Sequence, residues 1–260
     1  MDDHPMDDLF RGVSTTPELR GLDAAAGSVM YGHLAVFDVW SEISSWFEGD
    51  FMERLSPGAF KRTIKNNKDQ MRVTFDHGYD YTLADKPLGP IDKLEEDDLG
   101  VAYEVPLLDT DYNRDFMLPA LQGRLLDGRT VGSDGLLGAS FRFRVIAETW
   151  ERAPAASDHN PKALAERTIT EVRLYEFGPV VYPAYPEATA KVRSLTDHYI
   201  ERRLERQGTT TRAAQRLANI APSGQATGVQ DNHDRPGDPP PEFTGTDPHA
   251  VRALASALGR

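Results

Sequence analysis

Residues 135–145 read GLLGASFRFRV. Small residues (Gly135, Gly138, Ala139) lead into strict alternation, with Phe141, Phe143 and Val145 on one side and Ser140, Arg142 and Arg144 on the other. Period-two alternation marks a half-buried β-strand. Ser140 therefore begins a strand, on the face that also carries two cations. The glycines before it allow a sharp turn or a close approach of the backbone. A serine on such a face is ordinarily a solvated polar residue, so the rest of the chain must supply a reason to regard it otherwise.

Working outward, other stretches alternate in the same way. VMYGHLAVFDVW (29–40) is apolar and β-prone. In DQMRVTFDHGYD (69–80), Met71, Val73, Phe75 and His77 share one parity, which puts His77 at a strand end on the apolar face, before a turn at Gly78. Residues 86–108 read as two short strands around an Asp97–Asp98 turn. RTITEVRLYEFGPVVYPAYPEA (167–188) reads as a strand, a Gly-Pro break and a Pro-rich turn. Helical signals are fewer. Ser56 and Pro57 suit the start of a short helix bearing Ala59, Phe60 and Ile64. Residues 110–128 read as helical, with Thr110 as cap, Pro119 as a division and Gly128 as stop. Val192, Leu195, Tyr199 and Leu204 give 188–207 a helical spacing.

Many short strands and few helices predict an α+β fold, a mostly antiparallel β-barrel core with peripheral helices. Residues 1–28 are polar and irregular, a flexible N-terminal segment, and 29–207 form the folded domain. Residues 208–247, rich in Pro, Gly and Asp, cannot bury a core and read as a disordered acidic linker. DPHAVRALASALGR ends the chain with a short amphipathic helix over 248–260, a docking peptide or a solvated end.

Composition removes whole classes of function. The 260 residues carry a net charge of -12, the wrong sign for broad contact with nucleic-acid phosphates. There is no cysteine, hence no disulfide, Cys-based zinc site or thiol nucleophile. No apolar run is long enough to span a bilayer, and the acidic start MDDHPMDDLF is unlike a signal peptide, so a cytoplasmic origin is expected.

A weak nucleophile needs a base within hydrogen-bond reach and a group that orients the base. Of seven histidines, His4, His233 and His249 fall in tails, His33 in a strand, His159 in a polar loop and His198 in a helix. His77 alone joins a strand end, an apolar-parity position and adjoining Asp and Gly. In TEVRLYEF, Val172, Leu174 and Glu176 share a parity, and a carboxylate on an apolar face requires a partner: an arginine, or the second nitrogen of a catalytic histidine. A metal site on Asp76, His77 and Asp80 is the weaker pattern, since it has only one histidine.

These pieces together resemble the HK97-type prohead proteases of tailed phages, the capsid-maturation serine proteases distantly related to the herpesvirus maturation proteases. FMERLSPGAF resembles the family's E-x-(hydrophobic)-x-P-G-A-F signature. VTFDHGYD with PLGPI resembles its histidine motif, GLLGASFRFRV its serine motif, and LYEFGPVVYPAYPEA its closing motif. The likeness spans about residues 29–193. Carried over, it makes Ser140 the nucleophile and His77 its base. The third member is a second histidine in the herpesvirus relatives; here the closing motif offers Glu176, with His159 as the alternative. Arg142 and Arg144 are candidates for placing an oxyanion. Gly178 stands where a serine is frequent, and Phe and Arg follow Ser140 where small residues are common.

The resemblance implies a serine endopeptidase without cofactor, working in the host cytoplasm inside the viral procapsid on scaffold, major capsid protein and itself. A homodimer is left open, and neither nucleic acid nor membrane is a partner. The other reading is a non-catalytic scaffold or assembly protein on a degenerate protease core.

Overall fold

The computed structural model describes residues 8–13, 16–21, 27–131, 137–181 and 194–206. Residues 5–199 make one compact unit. The expected linker over 208–247, the terminal helix over 248–260 and the Pro-rich turn after Val181 lie outside the described residues.

In chain order the strands are β1 (Leu9–Val13), β2 (Glu18–Arg20), β3 (Val29–Val36), β4 (Ser41–Ser45), β5 (Gly49–Leu55), β6 (Arg72–Val73), β7 (Lys93–Glu96), β8 (Gly100–Pro106), β9 (Gly138–Glu151) and β10 (Glu166–Val180). The helices are α1 (Lys61–Asn67), α2 (Leu118–Gln122) and α3 (Leu195–Arg206). Six strands form one sheet in the order β1-β9-β10-β5-β4, with β6 also on β10; four form a second, β2-β3-β8-β7. The apolar parity of β9 decides how they pack. Phe141 and Phe143 join Leu174 and Phe177 of β10, Phe60, and Met30, Leu34, Val101, Tyr103 and Val105 of the second sheet in one buried cluster.

The fold is α+β, but the barrel expectation is corrected. A barrel needs hydrogen-bonded pairing all the way round. Here β10 divides its far edge between two short parallel partners, β5 along Glu166–Ile169 and β6 along Glu176–Phe177. Among the described residues the two sheets end at β1 and β4, and at β2 and β7, and they meet through side chains instead. The N-terminal expectation is corrected too. Residues 9–13 and 18–20 are strands, because the edges of β9 and β3 supply partners that short polar-flanked segments cannot announce by themselves.

Smaller differences have local causes. Ser56 does not cap α1, since its hydroxyl donates to the Ile169 carbonyl at 3.2 Å. The Glu96 carboxylate takes the Gly58 and Phe60 N–H groups instead, at 2.9 and 2.7 Å. The 110–128 segment becomes one wide turn (Asn113–Met117) running into α2, which ends at Gly123 with φ 57° rather than at Gly128. The expected Gly-Pro break is absent, since β10 runs through Gly178 and Pro179 opposite Ser140 and Ala139. α3 begins at Leu195, where Leu195 and Tyr199 join Phe10 and Tyr79 in a second, smaller apolar cluster.

Candidate active site

The long β9–β10 pair is the platform. Residues opposite each other on antiparallel strands project to the same face. Phe141 faces Phe177 on the core side, so Ser140 faces Gly178, and Arg142 faces Glu176, on the other. The register slips by one residue between Leu174 and Glu176. Without that bulge Glu176 would share the core face of Val172 and Leu174, as its parity in the sequence suggests. The extra residue, Tyr175, turns it onto the face of Ser140.

Gly178 has a steric reason to be glycine. A Cβ there would stand 1.9 Å from the Thr74 carbonyl oxygen. The strand ahead of the histidine can therefore lie close against β10, with the Thr74 N–H donating to the Phe177 carbonyl at 3.2 Å.

His77 is not at a strand end. β6 stops at Val73, and Asp76, His77 and Gly78 form a tight turn in which all three have positive φ, at 48°, 53° and 72°. Two consecutive non-glycine residues in the left-handed region are strained and persist only where their surroundings hold them. The Tyr199 hydroxyl donates to Asp76 Oδ1 at 2.7 Å, and the rings of Tyr199 and Phe10 meet the imidazole edge-on at 4.6 and 4.9 Å.

This turn carries the imidazole between the other two groups. His77 Nε2 lies 2.7 Å from Ser140 Oγ, and Nδ1 is hydrogen-bonded to Glu176 Oε1. Thr74 Oγ1 donates to the second carboxylate oxygen at 2.5 Å. Ser140, His77 and Glu176 are all buried, Ser140 completely. Burial pushes the Glu176 carboxyl up. The adjoining His77, the hydrogen bonds from His77 and Thr74, and Arg142 outweigh that and hold it below the usual carboxylate range. An ionised carboxylate can only accept, so Nδ1 carries the proton and Nε2 presents its lone pair to the serine hydroxyl. A serine hydroxyl, an accepting imidazole nitrogen and a carboxylate on the far nitrogen can together move a proton off Oγ as it becomes a nucleophile.

The other candidates go elsewhere. His159 bonds Ser157 and Glu166 and stacks on Trp40, so its partners are not those of His77. Arg142 lies opposite Glu176, over the Tyr175 ring, and lowers the Glu176 pKa rather than facing the serine. Arg144 is opposite Arg173, four residues and roughly 13 Å of strand beyond Ser140. Asp80 caps the Thr82 and Leu83 N–H groups. Among the described residues no group of three or more His, Asp or Glu side chains is arranged to hold a metal. Sequence reasoning had Asp76 only as a neighbour of His77 and a weak metal candidate, and it missed Thr74 and Tyr199, whose roles come from contacts across 102 or more positions of chain. Thr74 shares the polar parity of Arg72 and Asp76, so nothing local marks it out.

A sequence model described as caudovirus prohead serine protease matches residues 15–202. The chain belongs to that family. This prohead protease matches no curated protein. Among solved structures it is similar to the bacteriophage T4 capsid assembly protease, gp21, at 11% identity and a TM-score of 0.43, covering 68% of this chain and 98% of that one. No helix among the described residues of the prohead protease is long and apolar enough to cross a membrane.

Proposed function

We propose that this member of the family is a serine endopeptidase that cleaves scaffold, major-capsid-protein segments and itself inside the procapsid, in the host cytoplasm. Ser140 Oγ attacks the peptide carbonyl and His77 Nε2 takes its proton. Glu176, braced by Thr74, holds the imidazole in the useful tautomer and stabilises the imidazolium. The amine leaves with the proton from His77, and water then hydrolyses the acyl-enzyme by the same route in reverse. The observation that carries this reading is the continuous line of hydrogen bonds from Ser140 through His77 to Glu176 on one sheet face.

The test is the intact mass of the purified chain and of Ser140→Ala, each with and without the neighbouring capsid protein. Truncation at discrete sites in wild type only is the expected result, with a loss of about six orders of magnitude in rate for the variant. Cleavage that survives Ser140→Ala overturns the mechanism. Two intact chains with normal capsid assembly favour the non-catalytic scaffold instead.

A further inference from the structure

Ser140 is completely buried, and β1 lies directly beside it in the same sheet. β1 pairs antiparallel with β9, Gly12 opposite Ser140, and the serine hydroxyl lies 3.0 Å from the Arg11 carbonyl oxygen. On its outer side the strand is held by one hydroxyl: Thr196 Oγ1 accepts from the Phe10 N–H at 3.1 Å and donates to the Phe10 carbonyl at 3.2 Å. An extended segment paired with the nucleophile's own strand lies as a substrate strand would. Here the Arg11 carbonyl points its oxygen at Ser140 Oγ in hydrogen-bond geometry, so that peptide unit must turn to bring its carbon to the nucleophile before attack.

The side chain before that carbonyl has a built receptor. The Arg11 guanidinium donates to both oxygens of Glu48 at 2.9 and 2.7 Å, to both oxygens of Glu53 at 2.7 and 3.1 Å, and to Thr196 Oγ1 at 2.9 Å. The Glu48 side chain is fully buried and that of Glu53 nearly so. Arg167 also reaches both, at 3.7 and 3.1 Å, but it is shared with Glu148 at 2.5 Å. With Arg11 withdrawn, three carboxylates face one guanidinium. The family match covers residues 15–202, and β1 precedes it.

We infer that β1 occupies the enzyme's own substrate cleft, that Arg11–Gly12 is a self-cleavage bond, and that Glu48 and Glu53 select substrates with Arg or Lys before the scissile bond. This rests on the serine-protease reading and names its substrate class. In the cut, Ser140 Oγ bonds to the Arg11 carbonyl carbon as its proton passes to His77. The Arg11–Gly12 C–N bond breaks and the Gly12 nitrogen leaves with that proton. Water then hydrolyses the Arg11 ester, freeing a carboxylate and restoring Ser140. Gly12, with no side chain, leaves room on the departing side, and Phe10 packs against the His77 ring.

The test uses the full chain and synthetic peptides spanning residues 7–15 (DDLFRGVST), with Arg11 kept or changed to Lys, Gln or Glu. Expected are a chain that begins at Gly12, absent from Ser140→Ala, and cleavage of the Arg and Lys peptides at least about 100-fold faster than the Gln and Glu peptides, because a site built for a charged donor is left with unpaired buried carboxylates. Glu53→Gln should narrow that ratio, and since the variant disturbs a buried network, the peptide series on wild type carries the test. A fluorophosphonate probe reports separately whether Ser140 is nucleophilic. Labelled protein that leaves Arg11–Gly12 intact, or cuts without regard to a basic residue, overturns this inference and leaves the serine-protease reading standing. Unlabelled protein that cuts nothing overturns both.

Discussion

Glu176→Gln isolates the charge of the third group with almost no change of shape. Two donors converge on the carboxylate, His77 Nδ1–H on one oxygen and the Thr74 hydroxyl on the other. Glutamine offers one oxygen and one NH2. With the oxygen toward His77, Thr74 rotates to accept the amide N–H, because a hydroxyl can do either. The tautomer survives and only charge is lost. Opposite charges about 4 Å apart interact by about 4 kcal/mol at an effective dielectric near 20. At about 1.36 kcal/mol per decade that is roughly a thousandfold in rate. With the oxygen toward Thr74, the NH2 points at Nδ1, the proton moves to Nε2, and the loss approaches about ten thousandfold. Either way the interaction strengthens only as the imidazolium forms, so kcat should fall while KM holds. The assay is steady-state hydrolysis of a peptide cut by wild type, with a thermal melt to confirm the fold. A folded variant that keeps more than about a tenth of wild-type kcat would refute the role given to Glu176.

Two further outcomes follow from the same contacts. Gly178→Ala drives a methyl to 1.9 Å from the Thr74 oxygen and should cost about 3 kcal/mol, or roughly 6–12 °C in Tm for a domain of this size; as Thr74 shifts off Glu176, activity at low temperature should fall as well, and a variant with unchanged Tm would contradict the close approach. On the acid side, Glu176 and Glu48 both have folded-state pKa values below the ordinary carboxylate value of 4.5, Glu48 because Arg11 and its hydrogen bonds outweigh burial. Groups depressed on folding give stability that is complete above their unfolded value and lost as pH falls through the folded one. Tm should hold above about pH 5 and drop steeply below 4.5, less steeply in Glu176→Gln; a flat profile from pH 6 to 3 would exclude both carboxylates as stabilising anions.

The strand that carries Ser140 was legible because alternation is local, and nothing in the fold disturbs it over Ser140–Phe143. His77 was legible as a histidine beside an apolar run, though it sits in a strained turn after the strand and not on it. Glu176 is the instructive residue. Its parity with Leu174 suggested a core-facing carboxylate, yet the bulge at Tyr175 delivers it to the opposite face. A bulge depends on the partner strand's register, so counting along one strand cannot detect it. The Glu96 cap on α1 and the Tyr199 bond to Asp76 were hidden for the same reason: each joins residues far apart in the chain. Gly178, which looked like a departure from the family's frequent serine, is explained once Thr74 is beside it.

The least legible element, β1, has the largest consequence for activity. LFRGV is five residues between polar flanks, and an arginine in its middle argues for solvent. In the fold that arginine is largely enclosed between two glutamates, which hold its pKa above the ordinary arginine range against the cost of burial. A strand tethered to its own cleft presents itself at an effective concentration on the order of millimolar. A separate substrate must exceed that, or wait until β1 is cut and its new ends can leave. Self-cleavage at Arg11–Gly12 would then precede cleavage of other chains. A time course should show the Gly12 terminus appearing before capsid-protein fragments, with a lag in the second that shortens when pre-cut enzyme is added.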